Sequence, residues 1–156
     1  MIGGADLAAA ARLVVGAALA IAAAGKLADR RAAAARTEVL LGPIGPVVAG
    51  ALPLVEVLLA VALLAWWVPV PGILTIGLLV AFTFVLGRAA RRGVPCPCFG
   101  PGSSRPPGRR DFIRNGLLFA GAILATGSPV GAAPVATASL AVGFAAVLIG
   151  IVRSDH

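Results

Sequence analysis

The chain has 156 residues, is 60% hydrophobic and 12% charged, and carries a net charge of +7 with a mean hydropathy of +1.02. A soluble domain carries about 25% charged residues, so this chain lacks the polar surface to cover a water-facing globule, and its length fits a single domain. Nucleic acid is excluded as the partner of the basic excess: four of the thirteen Lys and Arg lie in residues 26–36 and seven in 88–114, between apolar stretches, and with Tyr absent there is no aromatic-interleaved basic stripe on which single strands could stack.

The first apolar stretch covers residues 7–27, close to the roughly 20 residues that cross a bilayer. Arg12 interrupts it near its start and is expected to snorkel to an interface. A cleaved leader is the rival reading, with Arg12 as its basic region and Ala22-Ala23-Ala24 as a small-residue cleavage site; the length favours an uncleaved span. Residues 29–46 set Arg30, Arg31, Arg36 and Glu38 among alanines, which favour helix. Gly42-Pro43-Ile44-Gly45-Pro46 ends that segment, so a short interfacial helix and a turn are expected. The second span, 47–68, holds Pro53 as a kink and Glu56 within it. Trp66 and Trp67 close it, as residues that favour the headgroup level.

Pro69-Val70-Pro71-Gly72 makes an uncharged turn into a third span, 73–86. Residues 87–111 form a long basic loop with both cysteines of the chain. The fourth apolar stretch, 112–126, is the weakest and opens on Arg114 and Asn115; a fifth, 135–152, ends at Arg153-Ser154-Asp155-His156. The expected fold is all-α, a polytopic transmembrane helical bundle of four to five spans in one domain over residues 1–156. Gly and Ala within the spans suit close helix contact in lipid. The basic residues of the first and third connections and Arg153 all fall on one side. The positive-inside rule then puts the N-terminus outside the cell membrane, with the C-terminus and the cysteine loop in the cytoplasm.

Cys96-Pro97-Cys98-Phe99-Gly100 is the chemical centre of this reading. The Cα atoms of a C-x-C unit can sit about 5.5–7 Å apart, overlapping the roughly 4.4–6.8 Å that a disulfide requires. Pro97 fixes its own φ and biases Cys96 toward an extended backbone. Arg91, Arg92 and Arg105 nearby favour thiolate over thiol. Three alternatives stand beside redox chemistry. The thiols could be loop residues without a role, or ligands of Cu(I) or Zn, although Zn takes four ligands and His156 is the only histidine. The protein could also be an assembly partner with no chemistry of its own.

Glu56 lies roughly 13 Å inside the cytoplasmic end of its span, a depth at which an ionisable group is by default a functional hypothesis. A structural ion pair between helices is the plainer reading. Lys26, the lone lysine, is the expected partner, because Arg12 belongs to the opposite end. Arg114 reads as an interfacial anchor, whereas Asn115 could donate to a group held between helices. Lys26, Glu56, Asn115 and the cysteine loop are thus expected in one half of the bundle.

Gly25-Lys26-Leu27, Pro53-Leu54-Val55-Glu56, Cys96-Pro97-Cys98-Phe99-Gly100 and Arg114-Asn115, in that order and spacing, resemble the MauE/DoxX group of membrane proteins. The C-x-C-F-G loop is the most specific of these motifs. The resemblance implies a small polytopic protein of methylamine utilisation that takes part in disulfide formation. It also implies a thioredoxin-like partner and the maturation of a dehydrogenase outside the cytoplasm. Cys96 and Cys98 would be the exchanging pair, with Glu56, Lys26 and Asn115 beneath them. The charge rule places the cysteines inside, whereas substrate disulfides would form outside. Either the loop passes electrons at the cytoplasmic face, or the topology is inverted, or the substrate is another. One pair cannot relay electrons across roughly 30 Å of hydrocarbon, so a partner, a quinone or a second thiol protein would complete the path.

Overall fold

The computed structural model describes residues 4–64, 69–96 and 105–126, and every regular element among them is a helix. α1 (Gly4–Ala28) and α2 (Arg30–Leu41) form one bent arm broken only at Asp29. The Asp29 carboxylate accepts from the Ala32 N–H at 3.1 Å, capping the first turn of α2. Gly42, at φ 69°, ends α2, and a single 3₁₀ turn (Gly42–Ile44) leads into α3 (Gly45–Leu64). Gly45 is the pivot: a Cβ there would run into the backbone of Thr37 and Glu38. The buried stripe Ala33, Thr37 and Leu40 gives α2 its inward face at helical spacing, and α3 returns along it and then along α1.

α4 (Val70–Arg92) begins with Pro71 in its first turn, where a missing N–H costs nothing. It ends at Gly93, at φ 64°. The Val94 N–H donates to the Ala89 carbonyl at 3.1 Å and the Gly93 N–H to the Ala90 carbonyl at 3.3 Å, the paired bonds of a Schellman cap. α5 (Arg109–Thr126) is capped by Asp111, whose carboxylate accepts from the Gly108 N–H at 2.9 Å.

α1 lies between α3 and α5, and α5 packs in turn on α4. The core joins Val15 and Leu19 of α1, Leu59, Ala60 and Leu63 of α3, Leu79 and Phe82 of α4, and Leu118 and Ala122 of α5. Around it the polarity is reversed from that of a soluble protein. Leu54, Leu58, Val61 and Phe84 stand exposed, while Arg12, Lys26 and Glu56 are buried. Such an apolar outer surface fits a lipid bilayer, and three stretches, Asp6–Ala28, Arg30–Leu64 and Val70–Arg92, are long and apolar enough to cross one.

Four expectations are corrected. The third helix does not stop at residue 86: Gly87 to Arg92 continue α4, because Ala and Arg are strong helix formers and cations favour a helix C-terminus. Residues 109–111 likewise belong to α5 rather than to the loop. The helix that carries the expected second span begins at Gly45, directly after the hinge and two residues before the expected start of that span. Arg12 does not snorkel; it is 1% exposed and its Nε donates to the Ala125 carbonyl at 3.0 Å. The bond ties α1 to α5 across the bundle and gives the buried guanidinium an internal acceptor. α5 carries Arg109, Arg110, Asp111 and Arg114 in its first two turns, so its composition does not mark it as a span. Trp66, Trp67, Cys98 and the expected fifth span, 135–152, lie outside the described residues.

Candidate functional site

Lys26 sits in the last turn of α1, yet Glu56 lies eleven residues into α3. The α2–α3 hairpin accounts for the difference, since it extends past the end of α1 and returns, bringing Glu56 level with Lys26 after roughly 16 Å of helix. Lys26 Nζ meets Glu56 Oε1 at 2.7 Å, with the two side chains 2% and 0% exposed. A charge taken out of water is tolerated only with a partner of this kind. The ammonium also lies 5.5 Å from the centre of the Phe82 ring, within cation–π range. Glu56 Oε2 has no hydrogen bond among the described residues.

Asn115, in the second turn of α5, does not reach the ion pair. Its Nδ2 donates to Thr83 Oγ1 at 2.7 Å and to the Leu79 carbonyl at 3.1 Å, tying α5 to α4. The Thr83 hydroxyl donates to the same Leu79 carbonyl at 2.9 Å. Asn115 Oδ1 is a second buried acceptor with no donor among the described residues. Since Thr83 follows Phe82 in the chain, the ion pair and the amide cluster flank one turn of α4. Arg114 pairs with Asp111, one turn before it in α5, at 3.3 Å.

Cys96 is packed further along α4. It is 6% exposed and shares a cluster with Leu40 of α2 and with Leu86 and Ala89 of α4. Leu86 and Ala89 are four and seven residues beyond Phe82, so the cluster holding Cys96 lies one to two turns further along α4 than the ring that faces Lys26. Cys96 is disulfide-bonded, and the chain has one other cysteine, Cys98. Two arginines hold α2 over this layer. Arg88 Nε donates to the Leu40 carbonyl and Arg92 to the Val39 carbonyl, each at 2.9 Å.

Lys26, Glu56, Asn115 and Cys96 therefore occupy one end of the bundle, in two stacked layers, and Arg12 occupies the other. Sequence reasoning missed Thr83, Phe82 and Arg88, and read Arg92 only as a charge near the thiols, not as a contact to α2. Thr83 carried a signal, as the lone hydroxyl in an otherwise apolar turn; the arginines read only as loop charge. A cavity of about 10 Å³ lies between Val15, Leu19, Leu79, Phe82 and Leu118. It has room for one water at most, and its apolar lining offers that water no partner. Among the described residues no three His, Cys, Asp or Glu side chains come together as metal ligands.

A family model described as methylamine utilisation protein MauE matches residues 5–128, a stretch that takes in all five helices and both cysteines. No curated protein and no solved structure matches the chain.

Proposed function

The chain belongs to the MauE family of methylamine utilisation proteins, and on that footing we propose that it is a cell-membrane component of thiol–disulfide exchange. Cys96 and Cys98 cycle between disulfide and dithiol through a mixed disulfide with a thioredoxin-like partner, in the maturation of a methylamine dehydrogenase. The supporting observation is the stack at one end of the bundle. A disulfide-bonded cysteine packs against Leu86 and Ala89, one to two turns along α4 from the Phe82 ring that faces a buried Lys26–Glu56 pair with an acceptor oxygen to spare. Exchange moves protons along with electrons, and Glu56 with Lys26 supplies a site where a proton can rest in an apolar surrounding. Asn115 holds α5 and α4 together at the same level.

α5 serves as a fourth span and residues 135–152 as a fifth, in a DoxX-like bundle whose cysteine loop faces the cytoplasm. Electrons leave the pair through a quinone or a second thiol protein, because one pair does not bridge roughly 30 Å of hydrocarbon. Mixing the purified, oxidised protein with reduced thioredoxin tests the reading. One thioredoxin disulfide should form per Cys96–Cys98 pair, and none in Cys96→Ser or Cys98→Ser. Thioredoxin thiols left unchanged by the wild type would overturn it.

A further inference from the structure

The packing of Cys96 says how one of the two sulfurs of the pair is placed. Three features close the space around it. The Schellman cap at Gly93 turns the chain back so that Val94 packs against the end of α4. Leu86 and Ala89 of α4 form one wall, and Leu40 of α2 forms another. That second wall is fixed, since the Leu40 and Val39 carbonyls accept from Arg88 and Arg92 on α4. These bonds also satisfy carbonyls that the end of α2 leaves without helical partners. Cys96 is left 6% exposed in an apolar enclosure.

Disulfide exchange is an in-line displacement, and its rate depends on which sulfur is attacked and on access to it. A thiolate carried by a folded partner cannot enter the enclosure of Cys96 without lifting α2. We propose that Cys96 is the sheltered, resolving sulfur of the pair and that partner proteins enter at Cys98, an assignment that rests on the exchange reading above. One thiolate of the partner's dithiol attacks Cys98 Sγ, and a bond between partner and Cys98 forms. The Cys96–Cys98 bond breaks and its electron pair leaves on Cys96. The partner's second thiolate then displaces Cys98, so the partner is oxidised by two electrons and Cys96 and Cys98 are reduced. The two protons given up by the partner's thiols balance those taken by the new dithiol. In the reverse direction Cys96 breaks the mixed disulfide and re-forms the internal bond, and its fixed place beside α4 favours that intramolecular step.

The probe is a thioredoxin with a single active-site cysteine activated as a mixed disulfide with thionitrobenzoate, whose release is coloured. Cys96→Ser leaves the Cys98 thiol and Cys98→Ser leaves the Cys96 thiol, each in the full-length protein. In the folded state the Cys98 thiol should capture the probe at least about tenfold faster than the Cys96 thiol, because access governs exchange. After denaturation the two rates should converge. Adding Arg88→Ala to Cys98→Ser should raise the Cys96 rate several-fold by loosening α2. Equal rates in the folded proteins, or a faster Cys96, would overturn the assignment; no response to Arg88→Ala would overturn the part given to α2. The two readings fail separately. Wild type that exchanges with thioredoxin dithiol while both single-cysteine variants capture the probe alike sinks the shelter alone. Unequal capture with a wild type that never exchanges sinks the redox function alone.

Discussion

α1 carries a buried cation at each end, and the two are held in different ways. Arg12 meets a neutral acceptor, the Ala125 carbonyl of α5. Lys26 meets a full negative charge, Glu56, brought up by a different helix through a hairpin that overshoots and returns. The first arrangement needs only a backbone carbonyl nearby. The second brings an acid and a base into hydrogen-bond contact within an apolar bundle, next to the layer that holds Cys96. Two similar residues in one Ala-rich helix therefore do different work, and the partner decides which.

Removing the partners one at a time should separate the two ends. Glu56→Leu leaves the Lys26 ammonium buried without its counter-charge, and stability measured by reversible unfolding in detergent should fall by about 3–5 kcal/mol. The double variant Lys26→Met/Glu56→Leu should recover most of that loss, since an apolar pair of similar volume avoids the desolvation penalty. Glu56→Gln keeps an acceptor for Lys26 but cannot take a proton, and stopped-flow thioredoxin oxidation should slow by about tenfold or more. At the other end, Arg12→Leu should cost about 1.5–3 kcal/mol, the range for a hydrogen bond to a charged group. Hydrogen exchange should place the resulting loosening in the last turn of α5, with the rate of thiol exchange unchanged. The smallest effect belongs to the amide bridge. Asn115→Leu should lose roughly 0.6–1.7 kcal/mol, as interhelical hydrogen bonds in membranes do, and Thr83→Val should add little on top because both act on one cluster.

Much of this was legible in the sequence, where a residue type leaves few physical options. A carboxylate in an apolar run must find a cation, and Lys26 was the one available on the right side of the bilayer; the structure joins the two at 2.7 Å. The hinge at residues 42–45 was likewise readable, although the reason for Gly45 lies in the backbone of Thr37 and Glu38, which no local pattern reveals. The partner of Asn115 was not readable, because a backbone carbonyl and a threonine leave no charge signal and helix rotation is not encoded in an apolar run. Arg12 was misplaced for a related reason. Snorkelling is the default for a cation near a span's end, and only the packing of α5 beside α1 makes an internal carbonyl the better partner. The end of α4 was misjudged because arginines count as loop charge under the orientation rule, yet Arg88 and Arg92 are helical and hold α2 in place.

The most direct test of thiol–disulfide chemistry at this end of the bundle is maleimide labelling of Cys96 and Cys98 in sealed membrane vesicles, with and without a membrane-impermeant reductant on each side. The pair should resist labelling as isolated. Membranes reduced from the cytoplasmic face, then denatured and labelled, should carry two labels per chain, and membranes treated with excess oxidised thioredoxin after the reductant is removed and before labelling should carry none. Full labelling without any reductant, or a pair that no reductant opens from either side, would contradict the account.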